Sequence, residues 1–113
     1  MKINQYQIDA IINLTSKERY LHFIASIVDW ENVYMINCQD ILHIFPAIEY
    51  TQLFAKAKKI DQKKIFKTSL EDFLTYILNN DIEINVFPTL LDNIYLINKE
   101  QLIEDIEEEI KKY

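Results

Sequence analysis

Cys38, Asp40 and His43 fall within six residues of one another. A thiol, a base and an orienting carboxylate are the parts of a nucleophilic triad. They act together only if the chain turns them to one face, and no oxyanion donor accompanies them. The plainer reading is a small core thiol and a strand histidine. Glu18 and His22 are four apart, within reach of each other on a helix. Two histidines and one cysteine, without H-x-x-x-H or C-x-x-C spacing, make a poor zinc set. No catalytic residue, metal or cofactor is therefore assigned. Arg19, the only arginine, suits a structural ion pair or a bidentate grip on a carboxylate, in the fold or at a partner.

The 113 residues contain no glycine. That removes the P-loop, the dinucleotide-binding G-x-G-x-x-G and the G-x-S-x-G nucleophile elbow. Turns that need positive φ must use asparagine or aspartate. The net charge of -6 disfavours nucleic acid as a general partner and permits a basic one. Six of the 12 cationic residues are Lys56, Lys58, Lys59, Lys63, Lys64 and Lys67, read as a solvated connection. No apolar run approaches the length of a membrane helix, and the start of the chain lacks a secretory apolar region. With a single cysteine, these features lead us to expect one cytoplasmic domain over residues 1–113.

The elements that must position these residues follow from periodicity and punctuation. Ile8, Ile11 and Ile12 have helical spacing between Asn4 and about Asn13. Thr15 or Ser16 opens a helix with Tyr20, Phe23, Ile24, Ile27 and Val28 on one stripe, ending near Asp29 or Trp30. A β-hairpin is expected from about Val33 to Phe45, its turn leaning on Asn37, Gln39 and Asp40. Pro46 suits the first position of a helix burying Tyr50, Leu53, Phe54 and Ala57. A short strand, "KIFKT", leads to a helix from Ser69 with Leu70, Phe73, Leu74, Ile77 and Leu78 inward. "IEINVF" alternates, with Ile82, Ile84 and Val86 on one face and Glu83 and Asn85 on the other. Pro88 closes that strand, "TLLDN" turns, and "IYLIN" is a fifth strand. Asn98 caps the last helix, with Gln101 at the capping-box position and Leu102, Ile103, Ile106, Ile110 and Tyr113 inward. The order ααββαβαββα implies an α+β fold, a mostly antiparallel five-stranded sheet packed with helices.

"NQYQIDAIINL" before "ERYLHFI", then "FPAIEYTQLFA", "SLEDFL", "VFPT" and "QLIEDIEEEIKKY", resemble the domain of unknown function 2750 family, small bacterial proteins, nearly end to end. The most specific pieces are Glu18-Arg19-Tyr20, Pro46 with Glu49-Tyr50, and Phe87-Pro88-Thr89. The family often has Trp where Phe45 stands and glycines in its hairpins, and this chain has neither. The resemblance implies a compact α+β domain without an established activity, and it supplies no catalytic residues.

Function then has to come from surfaces. Glu104, Asp105, Glu107, Glu108 and Glu109 crowd the polar side of the last helix, either as a solvated face or as a dock for a cationic protein. "NVYMIN" and "NIYLIN" are apolar on both faces, so either helices cover both sides of the sheet or a partner covers Tyr34 and Tyr95. The leading expectation is a non-enzymatic protein-binding module, most concretely an immunity-type inhibitor of a basic bacterial toxin. The alternative is a small-molecule-binding or regulatory domain. Oligomeric state is not encoded in these features.

Overall fold

A computed structural model describes residues 3–89 and 94–113. Helix α1, Gln5–Ile12, is held at its start by a reciprocal capping box between Asn4 and Gln7. Helix α2, Ser16–Trp30, repeats the device with Thr15 and Glu18. Strands β1, Asn32–Cys38, and β2, Ile41–Phe45, pair antiparallel across a two-residue turn. Both turn residues, Gln39 and Asp40, have positive φ, 55° and 64°. This is the backbone of a type I′ turn, made here without its usual Asn-Gly. Asn37 is not in the turn; it sits in the ladder opposite Leu42.

Helix α3, Ile48–Ala57, begins two residues after Pro46, with Ala47 as its N-cap. Pro46 therefore ends the strand but does not occupy the first helical position. The buried side of α3 is also rotated from expectation. Thr51 and Ala55 join Tyr50 and Phe54 inside, while Leu53 and Ala57 face out. Thr51 is tolerated there because its hydroxyl donates to the Ala47 carbonyl at 2.8 Å.

The lysine-rich stretch is structured throughout. Lys59 takes a left-handed conformation, its N–H donates to the Lys56 carbonyl, and the Ile60 N–H reaches the Ala55 carbonyl. That pair of bonds is the Schellman motif, with lysine in the glycine position. Asp61 caps a short 3₁₀ turn, Gln62–Lys64, and the chain enters β3, Phe66–Ser69. Ser69 caps α4, Leu70–Asn79. Strand β4, Glu83–Val86, is followed by β5, reduced to Leu96–Ile97, and by α5, Lys99–Ile110. The connection expected at "TLLDN" lies outside the described residues from position 90 to 93.

The sheet order is β3-β1-β2-β4-β5. Three pairings are antiparallel, and β2 with β4 is parallel. The α+β fold and the element order agree with the sequence reading. The parallel central pair arises because the chain leaves β2, crosses through α3, β3 and α4, and re-enters from the same end. Helices cover both faces. Phe54 of α3 packs against His43 and Phe45 on one face. By alternation, Val33, Met35, Leu42, Ile44, Ile84 and Val86 are buried on the other, beneath α2, α4 and α5.

Candidate functional site

The hairpin register sets the first cluster. Ile36 faces His43 and Cys38 faces Ile41, so Cys38 and His43 project from the same side of the sheet. There they line a cleft of about 300 Å³ between the sheet and the end of α3. Asp40 stays in the exposed turn and does not line it. The sequence triad is thus split: thiol and imidazole are brought to one cleft, and the carboxylate is not.

Asn85 takes the place beside the imidazole. The parallel register puts Asn85 directly beside His43, and its Nδ2 lies 3.1 Å from His43 Nδ1. Its Oδ1 accepts the Tyr95 N–H at 2.7 Å. The carbonyl end of the amide is therefore occupied, and the amino end faces the ring. His43 Nδ1 must accept, which leaves the ring proton on Nε2. An imidazole in this tautomer offers an N–H at Nε2 rather than a lone pair, so it cannot take the thiol proton there. Burial, and secondarily the positive charge of Lys58, hold His43 below its ordinary pKa. The ring is a neutral hydrogen-bond donor. The alternation of "IEINVF" puts Asn85 on one face with Glu83, as the register has it, but Asn85 is 2% exposed while Glu83 is open to solvent. The available signal was a polar residue inside each of two apolar runs, His43 in "ILHIF" and Asn85 in "IEINVF", which the sheet aligns.

Glu18 and His22 do not meet. The Glu18 carboxylate accepts the Thr15 N–H at 2.9 Å, and its pKa is lowered by that capping bond. His22 Nδ1 lies 3.2 Å from the Ser26 hydroxyl. Among the described residues, no three His, Cys, Asp or Glu side chains gather as metal ligands would. Arg19 is buried and grips main-chain carbonyls, Nε to Phe87 at 3.0 Å and Nη1 to Leu14 at 2.8 Å. Phe87 sits at φ 50°, a strained value for a bulky side chain. Its N–H is tied to the Ile44 carbonyl at 2.8 Å while its carbonyl is held by Arg19. Glu18-Arg19-Tyr20 and Phe87-Pro88-Thr89 are therefore in contact across the fold.

The acidic helix divides into two groups. Asp105 is half-buried and accepts hydrogen bonds from the Tyr20 hydroxyl and from Gln101 Nε2. Gln101 therefore does not complete a capping box, and Asn98 caps α5 alone. Burial, with the Asp105 carboxylate second, pushes the Tyr20 hydroxyl far up. Glu109 is mostly covered and pairs with Lys112 at 3.1 Å. Glu104, Glu107 and Glu108 are exposed at i, i+3 and i+4, which makes one helix face. Glu108 meets Lys111 at 3.4 Å in an open, solvent-screened pair. The apolar stripe of α5 overruns the core, so Ile110 and Tyr113 are exposed where burial was expected.

Tyr95 stacks on Tyr20, with ring centroids 5.2 Å apart, beside Asp105. Tyr34 is half-buried on the α3 face, with the Lys67 ammonium 6.0 Å from its ring centre. The two tyrosines thus lie on opposite faces of the sheet and belong to no common patch. No described helix is long and apolar enough to cross a membrane. Comparison with known proteins finds no matching family model, no matching curated protein and no matching solved structure.

Proposed function

We propose that the protein is a non-enzymatic binding module that docks a cationic protein on α5, in the manner of an immunity-type inhibitor of a basic bacterial toxin. One observation carries this reading: Glu104, Glu107 and Glu108 form an exposed carboxylate face with exposed Ile110 beside it. A like-charged face with an apolar residue at its edge, Ile110 one turn after Glu107, selects a partner of opposite charge and speeds encounter with it. The net charge of -6 adds to that steering. Asp105 and Glu109 stand apart from the dock, because the fold already uses them. The donor tautomer of His43 and the absence of Asp40 from the cleft support a role through contact rather than bond-making. The resemblance to the domain of unknown function 2750 family belongs to the same proposal.

The test is protection. A bacterial host expressing a basic toxin domain encoded beside this chain should grow when the wild-type chain is co-expressed. Combining Glu104→Gln, Glu107→Gln and Glu108→Gln should weaken the purified complex by about tenfold or more at low salt and flatten its salt dependence. Unchanged affinity removes α5 as the docking face. Failure of the wild-type chain to protect or to bind removes the inhibitor reading.

A further inference from the structure

The cleft beside α3 has a chemistry that the α5 surface does not share. Its floor is the sheet at Cys38, His43 and Asn85, and its rim is Lys58 at the C-terminus of α3. Among the described residues that line it, none is Asp or Glu, and Lys58 is the only one carrying a full charge. The rim is thus cationic in a chain whose net charge is -6. The other walls are apolar, chiefly Phe54, Ile60 and Leu96. Its volume of about 300 Å³ is at the small end of ligand pockets.

Two donors serve this space. Lys58 and His43 both line it: Lys58 carries an ammonium, and His43 carries the Nε2 hydrogen that Asn85 enforces through Nδ1. Asn85 is itself fixed by the Tyr95 N–H and is almost wholly buried, so the tautomer is built into the sheet. Phe54 lies against the imidazole, with centroids 4.8 Å apart, and holds the ring in place. We infer that the cleft binds a small amphipathic carboxylate, its head between Lys58 and the His43 N–H and its apolar body along Phe54, Ile60 and Leu96. A single cation balances one negative charge, which favours a carboxylate over a dianionic phosphate. This site is independent of the α5 dock, since it faces the other side of the sheet.

Octanoate is a suitable probe, with octanol as the uncharged control and inorganic phosphate as the headgroup control. Titration followed by NMR should give saturable shifts at Phe54, Leu96 and the His43 ring. The His43 pKa should rise when octanoate binds, because an anion favours the imidazolium. The groups facing His43 across the cleft are Lys58 from α3, Cys38 from β1 and Asn85 from β4; Glu83, on the same sheet face, is exposed and does not line the cleft, and its charge is the same with and without octanoate. Lys58→Met keeps the exposed stem and removes the charge; octanoate affinity should fall about tenfold. His43→Gln should weaken binding while far-UV circular dichroism stays unchanged. No saturable shift at millimolar octanoate, equal binding of octanol, tighter binding of phosphate, or wild-type affinity in Lys58→Met would each overturn the assignment.

Discussion

Half-buried His43 and the more exposed His22 are each held below the ordinary 6.5 of a histidine, and partial loss of hydration is the larger cause in both, with His43 the better shielded. The unfolded chain takes up protons on these rings as pH drops through about 6.5, while the folded chain does so only further down. Between those points the unfolded state binds more protons, so stability must fall as pH falls. The effect is absent above the unfolded value, where both states are neutral. We expect the urea midpoint to drop between about pH 7.5 and about pH 5.5 in the wild type. In His22→Gln/His43→Gln the same drop should be smaller, and an equal drop would show that other groups carry it. Glu18 contributes in a separate window. Its carboxyl is depressed by the capping bond to Thr15, so its stabilisation is lost only below the ordinary carboxylate range.

At the level of the element, the missing glycines leave a visible trace. Glu31, Gln39, Asp40, Lys59 and Phe87 all adopt positive φ with a Cβ in place. Such residues are disfavoured relative to glycine by roughly 1–2 kcal/mol each in the left-handed region. The best test is Lys59, which closes α3 in a Schellman geometry on an exposed surface. Lys59→Gly should raise stability by about 1 kcal/mol, read as a higher thermal midpoint. Lys56→Gly, three residues earlier and inside the helix, should lower it by a similar amount of about 1 kcal/mol. A rise in both, or in neither, would contradict the role assigned to the cap. The helices themselves were legible because their caps are local. Asn4, Thr15, Ser69 and Asn98 each start an element where a side-chain oxygen meets a backbone N–H. Pro46 misled by two residues, since an extended Phe45 and a fixed φ fit the approach to a helix as well as its first turn. The fifth strand was overdrawn because "IYLIN" has strand propensity over its whole length, yet only Leu96 and Ile97 find ladder partners.

For the whole molecule, one continuous core runs from α1 to α5 through both faces of the sheet. A core without a seam should unfold as a unit. Trp30, the only tryptophan, sits at the end of α2, while circular dichroism averages over all helices. Fluorescence and far-UV signals should therefore give coincident urea transitions, and separated midpoints would reveal an independently melting part. What the sequence could not show was assembled at this scale. The parallel pairing of β2 with β4 joins segments about forty residues apart, and no local pattern announces it. The cleft followed from that pairing, since His43 and Asn85 meet only in register. Acidic residues on α5 looked equivalent in sequence, and only the packing of α5 on α2 separated Asp105 from Glu104 and Glu107.

The grip of Arg19 has a lopsided consequence. Both of its acceptors named above are main-chain oxygens, which every amino acid supplies, so Leu14 and Phe87 can change without deleting them. The guanidinium has no such redundancy, because no other side chain offers several donors in one rigid fork. The clasp therefore survives a change of side chain at either acceptor and does not survive one at position 19.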